Sequence, residues 1–244
     1  MNILTPCKAV LFDLDDTLSD HRGASRLTLK ALQERWPVLA AVPLPVLIEQ
    51  HQHHLETIHG QVLTGNLTLA DARVERFRRL FQDYHVTLTP AAAEEAAAFY
   101  RRAYQGFRRP VAGAAALLER LAPIVTVGII TNNLTVEQED KLRVCGLEPF
   151  VDFMLTSEDA GVSKPDPSIF RQALAAARCE PFEAVMIGDS WPQDVLGARS
   201  AGIRAVWFNR QGACSPDRAV PVIRTLDPVP AAVQILLHGP ADAD

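Results

Sequence analysis

The chain has 244 residues, 48% of them hydrophobic, which is enough for one large domain or for a core plus a smaller unit. Its net charge is -5 and its basic residues are scattered, which argues against the concentrated positive footprint of a nucleic-acid-polymer binder. No apolar run approaches the roughly 18 residues needed to span a bilayer. The opening MNILTPCKAV has no long apolar leader, and Cys7, Cys145, Cys179 and Cys214 lie far apart with no CxxC spacing, so they read as free thiols. A soluble, cytoplasmic protein with no membrane partner is expected.

The first predicted strand, Ala9 to Phe12, runs into AVLFDLDDTLS, which places Asp13, Asp15 and Asp16 at its end. Residues 20 to 108 then turn helix-forming, in stretches such as ASRLTLKALQERW, DARVERFRRLFQDY and AAAEEAAAFYRRAYQGF. Pro37, Pro43, Pro45, Gly60 and Gly65 divide this block into an expected four helices. Strand and helix alternate afterwards. Helix Ala112 to Leu121 precedes strand Ile124 to Ile130, and helix Thr135 to Cys145 precedes strand Phe153 to Leu155. Helix Pro167 to Ala177 leads to strand Ala184 to Ile187, and helix Asp194 to Ala201 to strand Ala205 to Phe208. A proline-bearing tail follows, with a last helix near Ala231 to Leu237. Short strands apolar on both faces and alternating with helices predict an α/β fold, a doubly wound parallel sheet with an inserted all-helical domain. The expected boundaries are 1–19 and 109–244 for the α/β part and 20–108 for the insertion.

In such a sheet, ligands bind beyond the carboxyl ends of the strands. Those ends present Asp13-Leu14-Asp15, then Thr131-Asn132-Asn133, then a loop with Ser163-Lys164-Pro165, then Gly188-Asp189 with Asp194 five residues on. Each has a bland reading as a turn, a helix cap or a solvated loop. The convergence does not. Only four of the 24 basic residues are lysine, which singles out Lys164. Gathered carboxylates repel, by about 4 kcal/mol for a pair about 4 Å apart at an effective dielectric near 20, unless a cation joins them. Hard oxygen ligands suit Mg²⁺, which accepts a few carboxylates plus a substrate phosphate. Lys164 and Thr131 then answer the phosphate's remaining oxygens.

FDLDDTL, IITNN, SKPDPSIF and IGDSWPQD, in this order, resemble the four motifs of the haloacid-dehalogenase-like (HAD) hydrolases, and the helical block resembles the helical C1 cap of their first subfamily. The resemblance implies that Asp13 is the nucleophile that takes up the phosphoryl group. It implies that Asp15 is the acid/base and that Mg²⁺ is held by the carboxylates of Asp13 and Asp189 and the main-chain carbonyl of Asp15. Thr131 and Asn132 are then phosphate-binding, Lys164 offsets charge, Asp194 orients the metal's waters or Lys164, and Asp16 shapes the turn. The implied activity is a phosphatase acting on a small phosphorylated metabolite, as a monomer or homodimer. VGIITNNLTVEQEDKLRVCGL and IGDSWPQDVLGARSAGIRAVWFNR are most similar to the branch of pyrimidine 5′-nucleotidases and N-acylneuraminate-9-phosphatases. Within the superfamily, dehalogenases lack a carboxylate at the Asp15 position, so that reading is disfavoured. A receiver-type phosphoaspartate signalling domain is disfavoured by the order of its acids and by the helical block.

His51 and His54 share a helix face in HQHHLETIHG but lack matching acidic or cysteine ligands, so a solvated helix is the preferred reading. Arg73, Arg76, Arg78 and Arg79 read as the wet face of another helix. Trp191 is open between flanking the site and packing.

Overall fold

The computed structural model describes residues 7–239. Met1–Pro6, most of the N-terminal stretch read above, and residues 240–244 lie outside the described part. The chain divides into two compact units, one holding the described residues up to Asp20 and from Arg109 onward, the other His21–Arg108.

The first unit is a six-stranded parallel sheet in the order β3-β2-β1-β4-β5-β6. The strands are β1 Ala9–Phe12, β2 Thr126–Thr131, β3 Phe153–Thr156, β4 Ala184–Gly188, β5 Arg204–Phe208 and β6 Val222–Ile223. Along β1, Val10 and Phe12 enter one apolar cluster and Ala9 and Leu11 the other. Both faces are therefore buried, which explains why these strands read as continuous apolar runs rather than alternating ones. The chain winds outward from β1 through β2 to β3 and returns to β4 on β1's other side, so the winding direction reverses at β1.

Two elements differ from expectation. β6 is an additional strand of two residues, pairing Val222 and Ile223 with Trp207 and Phe208. It is too short for a periodic signal, and Pro221 before it fits an edge strand. The expected helix Asp194 to Ala201 begins earlier, as a wide π turn over Trp191–Leu196 followed by a helical turn over Gly197–Ser200. Ser190 starts it, its main-chain carbonyl accepting from both Asp194 N and Val195 N. Where the chain leaves and re-enters this unit, Asp20 N bonds Arg109 O at 3.0 Å, and the Asp20 carboxylate accepts from Arg109 and Arg210.

The second unit is all helical, with helices His21–Arg35, Leu44–Leu63, Leu69–Gln82 and Pro90–Phe107 and a single turn over Pro37–Ala40 that the four-helix expectation omitted. Thr68 and Thr89 cap the third and fourth long helices by accepting from Asp71 N and Ala92 N. Leu29, Leu32, Leu47, Phe77, Leu80 and Phe81 form its core. The solvated-helix reading holds for neither histidine: the His54 side chain is 12% exposed and meets Asp83 at 2.6 Å, and His51 is 2% exposed and packs on Tyr100. Arg78 and Arg79 lie outward on Glu75, whereas the Arg76 Nε is enclosed.

Phe81 is fully buried and meets Trp36 edge-on with ring centroids 6.2 Å apart. Phe81→Ala is expected to cost about 3–5 kcal/mol in urea unfolding, read by the change in Trp36 fluorescence. A loss below about 1 kcal/mol would contradict the packing.

Candidate active site

The neighbouring strands β2, β1 and β4 bring their carboxyl ends together, and the sheet ladder continues one residue past β1 through Asp13 N to Ile187 O at 2.9 Å. Asp13 thus stands between Thr131, the last residue of β2, and Asp189, which follows β4.

Lys164 reaches this point from the loop after β3. Its ammonium donates at 2.7 Å to each of three acceptors, Asp13 Oδ1, Asp194 Oδ1 and the carbonyl of Ile130, and so uses all three of its donors. The Lys164 side chain is 1% exposed. Burial alone would lower its pKa, but the carboxylates of Asp13 and Asp194 outweigh that and hold it above the ordinary lysine value. Burial pushes the Asp13 carboxyl up, as do Asp194 and Asp189, with Lys164 opposing them. Asn132 fixes the loop that delivers the lysine. Its side-chain amide donates to Lys164 O at 2.8 Å, and its carbonyl oxygen accepts from Lys164 N at 2.7 Å.

The second oxygen of Asp13 accepts from Thr17 Oγ1 at 3.0 Å, and Thr17 Oγ1 accepts from Asp189 N at 3.1 Å. Carboxylate oxygens of Asp13, Asp189 and Asp194 all lie within 4.8 Å of one another. Asp194 Oδ2 accepts from Ser190 N at 2.9 Å, so both its oxygens are engaged and the side chain is held toward the lysine. This arrangement needs Gly188, because a Cβ there would stand 2.2 Å from Asp194 Oδ2. Trp207 donates from its indole nitrogen to Asp189 O at 2.9 Å, and Trp191, partly exposed, packs edge-on against Trp207.

Asp15 has different company. Both its oxygens lie 2.6 Å from Lys141 Nζ, and Oδ2 also accepts from Gln138 Nε2 at 3.1 Å. The same Gln138 amide donates to Thr131 Oγ1 at 2.5 Å. Gln138 and Lys141 were missed by the sequence reading, although they stand three apart on helix Thr135–Val144 and face one way. Lysine scarcity, which marked Lys164, marks Lys141 equally. Asp16 adopts φ 64°, a left-handed conformation that aspartate tolerates better than most residues, in the turn closed by Ser19.

The family description of haloacid dehalogenase-like hydrolases matches residues 7–202. The chain is 33% identical over 239 residues to the phosphoserine phosphatase of Thermus thermophilus, covering 90% of this chain and 96% of that one. It is 28% identical over 218 residues to the N-acylneuraminate-9-phosphatase of Homo sapiens, covering 86% and 85%. Among solved structures, that of the HAD-hydrolase YfnB from Bacillus subtilis, bound to magnesium, matches with a TM-score of 0.71 at 27% identity, covering 95% of this chain and 100% of that one. Ordered strand-end motifs, a matching sheet and a match over most of the length place this chain in the haloacid dehalogenase-like hydrolase family.

Proposed function

We propose that this phosphoric monoester hydrolase cleaves a small soluble phosphate monoester with Mg²⁺, through an aspartyl-phosphate on Asp13. The observation that carries the reading is the contrast between two carboxylates two residues apart. Asp13 is buried against Lys164, while Asp15 is one-quarter exposed and answers to Lys141 and Gln138. Asp13, held on both oxygens by Lys164 and Thr17, suits a fixed nucleophile, and Asp15, the more exposed, suits proton exchange.

The donor set fits the metal: Asp13 and Asp189 offer hard oxygens within 4.8 Å, and the single charge of Lys164, shared between Asp13 and Asp194, offsets one of the cluster's three negative charges. Asp13, Asp189 and the main-chain carbonyl of Asp15 would hold Mg²⁺, with Asp194 behind them. When bound, it offsets charge on the phosphoryl oxygens.

Lys164 and Thr17 fix the plane of the Asp13 carboxylate, one on each oxygen. One Asp13 oxygen attacks phosphorus, the ester P–O bond breaks, and Asp15 gives its proton to the departing alcohol. Asp15 then takes a proton from the water that attacks the aspartyl-phosphate, so inorganic phosphate leaves and Asp13 is restored. Thr131 and Asn132 contribute phosphate-binding groups, and Lys164 balances the added charge. A departing halide needs no proton, so the provision made for Asp15 favours phosphate-ester hydrolysis over dehalogenation.

The substrate class proposed is a nucleoside monophosphate, a sugar phosphate or an acylneuraminate phosphate. Among the described residues no helix is long and apolar enough to cross a membrane, and the free cysteines support a cytoplasmic setting. Multiple Mg²⁺-dependent turnovers of p-nitrophenyl phosphate, abolished by EDTA, test the reading, and a screen of those three esters with O-phosphoserine ranks the substrates. A single stoichiometric phosphorylation without turnover would point instead to a receiver.

Asp15→Asn is expected to lower kcat about 10²- to 10⁴-fold while Mg²⁺ affinity by calorimetry is kept, since the metal contact is through the main chain. Wild-type turnover in that variant removes the role. Lys141→Met leaves the Asp15 carboxylate without its cation and is expected to lower kcat roughly 10- to 100-fold with little change in KM. A change confined to KM would mean that Lys141 binds substrate instead.

Lys164→Met leaves Asp13 and Asp194 buried without their cation, which is expected to cost about 3–5 kcal/mol at pH 7 in EDTA. The sign of the pH effect follows from Asp13. Its folded pKa is raised, and losing Lys164 removes the influence that lowers it, so the folded state binds more protons than the unfolded one. The deficit should therefore shrink between pH 7 and pH 5 in urea titrations. A deficit that grows on acidification would reject this account.

A further inference from the structure

The core of the helical unit holds one polar spot to which all four of its long helices contribute. His21 and Ser25 come from helix His21–Arg35, His51 from Leu44–Leu63, Arg76 from Leu69–Gln82, and Tyr100 and Tyr104 from Pro90–Phe107. The tyrosine hydroxyls are accounted for: Tyr100 meets Ser25 Oγ at 2.9 Å and Tyr104 meets His21 Nδ1 at 2.6 Å. The two rings stack at 7°. His51 lies on the Tyr100 ring with centroids 4.7 Å apart, and the Arg76 guanidinium sits 5.1 Å from the same ring and 5.2 Å from Phe77.

Two enclosed nitrogens here have no hydrogen-bond partner, His51 Nε2 and Arg76 Nε. Each is a group that native structures satisfy. Among the described residues no carboxylate pairs with Arg76. The adjacent Glu75 is taken by Arg78 and Arg79 at 2.6 Å each. Arginine keeps its charge in proteins, and the charges felt by Arg76 from nearby residues include another cation, Arg73. Burial first, then Arg76 and the neighbouring histidines His21 and His54, hold the His51 pKa well below the ordinary value, so this ring is neutral beside the guanidinium. Cation-π contact with Tyr100 and Phe77 answers the face of the guanidinium but not its N–H edge. An enclosed cationic N–H without an acceptor is costly, and the shape that best meets a guanidinium edge is a planar or tetrahedral oxyanion.

We propose that His51 and Arg76 form an anion-recognition site within the helical unit, which takes the carboxylate or phosphoryl oxyanion of a small metabolite beside the Tyr100 ring. The oxyanion is that of a separate small anion, so the proposal and its test lie within the helical unit.

The full chain, labelled with ¹⁵N-arginine and ¹⁵N-histidine, is titrated with malonate, inorganic phosphate and chloride, and the Arg76 Nε–H signal is assigned from Arg76→Met. The expected result is a saturable shift of Arg76 Nε–H and the His51 ring with malonate or phosphate, and an affinity at least tenfold weaker in His51→Gln. The more effective ligand identifies the group as carboxylate or phosphoryl. No response to either oxyanion, or a response to chloride alone as an adventitious ion only, overturns the proposal. The wild-type titration stands even if Arg76→Met folds poorly.

Discussion

One ammonium group organises the α/β unit. Lys164 Nζ joins the nucleophile candidate Asp13, the support residue Asp194 and the main chain of β2 at Ile130, all at 2.7 Å. Taking Asp13, Asp194 and Lys164 out of water separately would be prohibitive, so each carboxylate's burial depends on the lysine and the lysine's on them. Much nearby structure serves this one contact. Asn132 clamps the main chain of Lys164, Ser190 N holds the far oxygen of Asp194, and Gly188 leaves the room that Asp194 occupies. The wide turn over Trp191–Leu196 belongs to the same set, because Ser190 starts it and Asp194 lies inside it.

The same constraint separates the aspartates after β1. Asp13 continues the sheet ladder and is drawn into the lysine's surroundings. Asp15, on the far side of the turn, falls to helix Thr135–Val144, where Lys141 and Gln138 receive it. Asp16 takes the left-handed φ between Asp15 and Ser19 that makes the turn possible. One tight turn thus gives two carboxylates separate lysines, and Gln138, bridging Asp15 to Thr131, links the proposed proton carrier to the proposed phosphate site.

Most of the sheet was legible because its strands are short, apolar throughout and bounded by Gly, Pro or Asp, signals that survive without tertiary information. Asp13, Asp189, Lys164 and Asp194 were legible for another reason: a polar residue after a buried strand has few bland explanations when several strand ends repeat it. Lys141 and Gln138 were not, because polar side chains on a helix are ordinarily solvated and nothing local shows that this face turns toward β1. β6 escaped because two residues carry no period. His51 and Arg76 escaped for the reason that hid Lys141: a polar run on a helix reads as solvated, and one turn of phase decides which member has its nitrogen enclosed.

The two units treat enclosed cationic nitrogens differently. In the α/β unit every buried lysine meets carboxylate: Lys164 has two and Lys141 has both oxygens of Asp15. In the helical unit Arg76 has aromatic faces and a neutral imidazole, while the glutamate beside it in sequence serves two outward arginines. Successive helix positions do not face one another, so Glu75 serves Arg78 and Arg79, three and four positions on, and the Arg76 Nε is left enclosed near Tyr100. A core that needed only packing would fill that place with an apolar side chain at lower cost, so the arginine there is better explained by something it binds than by what it holds together.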